Sequence, residues 1–258
     1  MPEEMKLQYL TKQLHLPAVY RQCHGLAREA VELQITYERY LISVLEQEVK
    51  SREETMKKNR VKQAQFRQIK TLDTYDFAAM PELNKPKVIS LTDGEYIRKK
   101  ENVFFVGRTG TGKSHLAVSL GMIACNQGHR VRFIVAADLV NALIAAHNEY
   151  RMPKYMAAWK KLNLIILDEV GFVPFSKLGS ELLFQFCSNL YETCSLIVTS
   201  NLNFSAWPTV FGDETLTSAL LDRLVHHAKI FVMNGNSYRM RESLRQTIAV
   251  TKEDGGNE

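Results

Sequence analysis

Between residues 5 and 70 the chain has one glycine, Gly25, and no proline after Pro17. With so few residues that bend or end a helix, that stretch cannot be a turn-rich β domain. Cysteine is also scarce. Cys23, Cys125, Cys187 and Cys194 form no C-x-x-C pair and have no histidines at metal-ligand spacing, which argues against a disulfide framework or a zinc module and for reduced thiols. No apolar run approaches the ~18 residues that cross a bilayer, and the opening MPEEMKLQYL is acidic before it is apolar. We therefore expect no export, no membrane anchor and a cytoplasmic location. Helix-turn-helix signatures, zinc fingers and aromatic-basic repeats are likewise missing, which leaves few residues to read bases directly.

What is present divides the chain in two. Apolar residues recur at helical spacing through Leu7, Leu10, Leu14, then Leu26, Ala30, Val31, then Tyr37, Leu41, Val44, Leu45, and predict three helices over residues 1–70. Pro17 suits the first turn of the second helix, and Thr36 suits the N-cap of the third. From Lys50 to Lys70 eight basic residues face only Glu53 and Glu54, so this block alone exceeds the net charge of +5 carried by the whole chain. Lys57, Lys58, Arg60, Lys62 and Arg67 form either a solvated helix face or a surface for nucleic-acid phosphates. Residues 71–93, with two prolines and no helical stripe, read as a linker.

From about residue 94 short β-branched and aromatic runs alternate with helical segments. Strands are expected at 103–106, 131–135, 164–167, 196–199 and 230–233. Helices are expected at 114–126, 137–147, 154–161, 177–192 and 217–226, with Gly128 closing the first of these. The pattern predicts a doubly wound α/β domain over 94–245 with a parallel five-stranded core sheet, its ligand at the carboxyl ends of the strands, and a flexible tail at 246–258.

Gly107 to Ser114 read GRTGTGKS between a strand and a helix. Glycines allow successive backbone N–H groups to face phosphates, and the helix start adds partial positive charge. Lys113 supplies a cation to the β/γ oxygens and Ser114 a hydroxyl to Mg²⁺. Gly107, Thr109, Gly110, Thr111, Gly112, Lys113, Ser114 and His115 thus form the expected set of contacts to a nucleoside triphosphate. The strand LNLIILDE ends in Asp168, placed for Mg²⁺, and Glu169, placed to polarise a water for hydrolysis. SLIVTSN ends in Asn201, whose amide either orients that water or simply turns the chain. Arg223 lies on an amphipathic helix, where it either pairs with Asp222 or Glu214 or reaches a neighbouring subunit's γ-phosphate. Tyr75 and Phe77 are either adenine neighbours or satellite core. No constellation for nuclease or strand-transfer chemistry is evident.

The set GRTGTGKSHLA, LIILDEVG, IVTSN, FSAW, FGDETLTSALLDRLVHHA and NGNSYR resembles the AAA+ ATPases of the IstB and DnaC group, and within it the IstB-type helpers of transposition. The resemblance covers almost the whole chain. It implies an ATP-dependent oligomer that assembles on duplex DNA and recruits or activates a transposase. By it, Lys113 and Ser114 take Walker A roles, Asp168 and Glu169 Walker B, Asn201 sensor 1 and Arg223 an arginine finger acting in trans. IstB-type proteins often carry Gln where this chain has Asn201. Only 17 residues follow Arg241, too few for a helical lid, so a sensor 2 role falls to Arg239 or Arg241, with Arg239 placed in the nucleotide set. In the same group an extra helix between the second and third strands lines the DNA channel. That implies DNA contact for Lys154, Lys160 and Lys161 here, a solvated helix being the alternative. DNA binding is then expected to be dominated by the backbone and weakly sequence-specific. A helicase loader, which shares the same ATPase residues, is the competing reading.

Overall fold

The computed structural model describes residues 2–235 and residue 237. It resolves into two compact units, Met1–Asn59 and Arg60–Glu258. In the first unit lie α1 (Glu3–Gln13), α2 (Pro17–Glu32) and most of α3 (Tyr37–Ala64). Thr36 Oγ1 accepts the Arg39 N–H at 3.2 Å, the expected N-cap of α3. Leu16, before α2, offers no side-chain cap. The carboxylate of Glu48, on α3, takes that place and accepts the N–H groups of Ala18 at 2.8 Å and Val19 at 3.3 Å. Arg52 pairs with it from one turn on. Burial by itself would raise the Glu48 pKa, but Arg52 and the two amides bring it below the ordinary carboxylate value. Among the described residues of this unit, Val19, Cys23 and Val44 form the buried cluster. Leu14, Val31, Tyr37 and Leu41, part of the expected apolar stripe, are exposed.

In the second unit α4 (Lys85–Ser90) and α5 (Glu95–Arg98) precede the sheet. Then β1 (Asn102–Gly107) leads to α6 (Lys113–Asn126). β2 (Val131–Val135) leads to α7 (Ala136–Asn148) and α8 (Met152–Trp159), and β3 (Leu164–Val170) to α9 (Lys177–Leu190). β4 (Ser195–Ser200) leads to α10 (Pro208–Phe211) and α11 (Glu214–Val225), and β5 (Ala228–Met233) completes the set. The five strands are parallel in the order β2-β3-β4-β1-β5. This is the doubly wound P-loop architecture that the alternating pattern predicts.

Burial follows strand position. β1 and β4, in the interior, are buried at every residue, whereas β2 and β5 at the edges alternate. Alternate side chains feed two cores. Phe104, Val106, Ile165, Leu167 and Val198 pack with α7, α8, α9 and α11, and Val103, Phe105, Ile166 and Ile197 pack with α6 on the other face. After α6 the Gly128 N–H bonds Cys125 O and the His129 N–H bonds Ala124 O, with Gly128 at φ +98°, a Schellman closure at the expected glycine. Buried Asn102 ties three elements at the foot of β1. Its amide donates to Leu224 O on α11 and accepts from the Leu196 N–H on β4, both at 2.9 Å.

The segment expected as a linker, 71–93, is built into the second core. Met80, Leu83, Val88 and Leu91 are all buried there, and Asn84 caps α4. Their irregular spacing conceals them from a search for a periodic stripe. Arg239, Arg241 and the expected tail at 246–258 lie outside the described residues.

Candidate functional site

The site is built where β1, β3 and β4 end beside the start of α6. β1 closes on Gly107 at φ +144°, where a Cβ would stand 2.1 Å from the Met233 carbonyl oxygen of β5, so only glycine fits. Gly112, at φ +89°, caps α6 and sits against the ring of Tyr75. Thr111 is buried and donates its hydroxyl to Arg108 O at 2.8 Å, pinning the loop. Lys113 is buried too, and its ammonium donates to Gly107 O and Arg108 O, each at 2.7 Å, which holds the charge over the loop. Thr109 and Gly110 line the same cavity, of about 700 Å³, together with Lys113, Ser114, His115, Asp168, Glu169 and Asn201. That volume suits a nucleotide-sized ligand.

Asp168 is 4% exposed and gathers hydroxyls. Ser114 donates to its Oδ1 at 2.8 Å and Thr199 at 2.5 Å. A buried carboxylate met by hydroxyls, with solvent at the cavity side, is a hard-oxygen donor set of the kind a divalent cation takes. The strand does not end at Leu167 as expected. It runs to Val170 through a register shift, with Leu167 opposite Val198 but Val170 opposite Ser200. Inside the shift Glu169 adopts φ +61°, a left-handed conformation that is costly for a side chain of this kind. At the bulge the exposed Glu169 lines the cavity next to Asp168, and its N–H donates to Thr199 Oγ1 at 3.0 Å. Thr199 therefore joins both carboxylate residues. In the sequence its one signal is a hydroxyl at the end of the strand beside LDE.

Asn201 lines the cavity, and its buried amide oxygen has no hydrogen-bond partner among the described residues. An orphaned acceptor at this place suits a bound water. Tyr75 donates its hydroxyl to Thr111 O at 3.2 Å and packs edge-on against Phe77 and His115. Burial, then the charge of Asp76, push its pKa up to about 12, so the phenol stays a donor. His115 Nε2 lies 2.8 Å from Thr71 O and 3.1 Å from Thr74 Oγ1, which fastens the segment before α4 to the start of α6.

Arg223 does not line this cavity. Instead of Asp222 or Glu214 it meets α9, donating to Ser188 Oγ at 2.6 Å with its guanidinium 4.8 Å from the centre of the Phe184 ring. Within one chain the structure does not bring it to Lys113. Of the cationic residues assigned to DNA, Lys57, Lys58, Lys62, Lys154, Lys160 and Lys161 are exposed. Arg60 lies half-buried near Gly128. Arg67 lines the cavity and pairs with Asp138 at 3.0 Å.

Comparison with known proteins agrees with this geometry. Residues 9–246 match the family described as IstB-like ATP binding protein. The chain is 36% identical over 233 residues to the ATP-binding protein of insertion sequence IS5376 from Geobacillus stearothermophilus, covering 90% of this chain and 93% of that one. It is 33% identical over 247 residues to the ATP-binding protein of insertion sequence IS21 from Pseudomonas aeruginosa, covering 96% and 93%. Among solved structures, the DnaC helicase loader superposes with a TM-score of 0.53 at 20% identity, covering 64% of this chain and 96% of that one, a likeness of fold.

Proposed function

The chain belongs to the IstB-like ATP binding protein family, and from that membership we propose that it is the ATP-driven helper of a transposition system. In this reading it is an AAA+ ATPase that assembles on duplex DNA and presents that DNA to a partner transposase. The observation that carries the ATPase chemistry is Asp168 held by Ser114 and Thr199 at the mouth of the phosphate loop, with Glu169 turned into the same cavity by the bulge.

Loop N–H groups and Lys113 bind the triphosphate, and the start of α6 adds its partial charge. Ser114 and Asp168 would hold Mg²⁺, which supplies neutralisation of phosphate charge. Glu169 accepts a proton from the attacking water, and the Asn201 amide oxygen orients that water. Arg223, on α11, acts on the γ-phosphate of a neighbouring copy once it leaves Ser188, so hydrolysis is tied to assembly. The exposed lysines of α3, with Lys154 on α8 and Lys160 and Lys161 just after it, contact the DNA backbone, which makes binding steeply salt-dependent and largely indifferent to sequence. The insertion-sequence context of the relatives supports a transposase as partner.

Glu169→Gln tests the reading because it removes the proton acceptor and keeps the fold. ATP affinity and ATP-dependent DNA binding should stay near wild type while turnover falls by about 10²-fold or more. Normal hydrolysis by this variant would sink the assignment.

A further inference from the structure

The basic block from Lys50 to Lys70 looks uniform in sequence, but the structure divides it. Arg67 and Lys70, at its end, line the triphosphate cavity together with Lys113. Two anchors place them. Thr71, next to Lys70, offers its carbonyl to His115, the residue after Ser114. Arg67 pairs with Asp138 in the first turn of α7, just beyond β2, whose Val135 lies opposite Asp168. The short segment 67–71 thus runs from the carboxyl end of β2 to the start of α6. Behind it, Phe66 is fixed against Phe133 with ring centroids 6.4 Å apart.

We infer that Arg67 and Lys70 are ligands of the bound nucleotide's polyphosphate, with Arg67 passing from Asp138 to that anion. The inference rests on the reading of this cavity as the triphosphate site. A triphosphate carries more negative charge than Lys113 and one divalent cation neutralise, so further cations in the cavity are favoured. Lys70 is half-buried and has no ion-pair or hydrogen-bond partner among the described residues. The Arg67–Asp138 pair has side chains 59% and 61% exposed, and a pair so exposed is held weakly and exchanges readily for a stronger anion. Nucleotide binding takes Arg67 from Asp138 and fixes the end of the basic block over the site.

The test is a titration of the full-length protein with a fluorescent ATP analogue in the absence of DNA. Lys70→Ala and Arg67→Ala should each raise Kd by about 10- to 100-fold, the effect of losing one charge-assisted hydrogen bond. Arg67→Lys should recover part of the loss. Asp138→Ala should lower Kd, because it frees Arg67. Opposite signs for two members of one ion pair are not produced by a merely structural bridge, whose loss from either side weakens the same element. Duplex affinity of Lys70→Ala at saturating ATP should stay within about twofold of wild type, as no phosphate contact to DNA is lost. Unchanged Kd in both cation variants, weakening or no change in Asp138→Ala, or a large fall in duplex affinity for Lys70→Ala would overturn the inference. Lys113→Ala is the control. A wild-type protein that binds no nucleotide would overturn the proposed function itself, whereas wild-type binding with unaltered variants removes only this assignment.

Discussion

Thr199 stands between the two acidic residues of the site, donating to Asp168 at 2.5 Å and accepting from the Glu169 N–H at 3.0 Å. It fixes the rotamer of one carboxylate and the bulge that aims the other. Thr199→Val keeps the volume and deletes both bonds, so turnover should fall by about 10- to 100-fold, as when the partner that orients a metal-binding group is removed, with ATP affinity nearly unchanged. Steady-state hydrolysis together with equilibrium binding checks this, and unaltered turnover would remove Thr199 from the account. The phosphate loop and the Asp-Glu pair were legible in the sequence because each is a contiguous string. Thr199 and Arg67 were not, because their partners lie 31 and 71 positions away, and only the sheet order and the fold of segment 67–71 bring them together.

Among the elements, α2 starts without a side-chain cap of its own, since Leu16 offers none and the helix borrows the carboxylate of Glu48 from α3. Glu48→Gln should weaken the first turn of α2 by about 1 kcal/mol, the scale of a helix cap, seen as faster amide exchange at Ala18 and Val19 in the full-length protein. The effect has a definite pH dependence. Because the folded pKa of Glu48 lies below its ordinary value, the carboxylate's contribution is present above that ordinary value and is lost as pH falls through the lowered one. Wild type and variant should therefore differ at neutral pH and converge in acid. Equal exchange at neutral pH would show that the charge contributes nothing. The helices and strands themselves follow closely from periodicity and caps, Thr36 and Pro17 included. Residues 71–93 escaped that logic because Met80, Leu83, Val88 and Leu91 are buried through short 3₁₀ and helical turns with no repeating stripe.

For the whole molecule, sequence separates a helical, basic part from an α/β part, but it puts the division near residue 70 where the structure puts it after Asn59. The last residues of α3 carry Val61 and Ala64 into the second core, and a helix that changes partners without a break leaves no mark in its own pattern. Arg223 rests on Ser188 and Phe184 and does not line its own cavity, and under the proposed function it acts on the γ-phosphate of another copy. The most direct measurement is the size of the particles that purified protein forms on plain duplex DNA, by sedimentation or negative-stain microscopy, with ATP and with ADP. Large, regular protein–DNA assemblies should form with ATP and be lost with ADP. A protein that stays monomeric, or that binds duplex equally with either nucleotide, would contradict it.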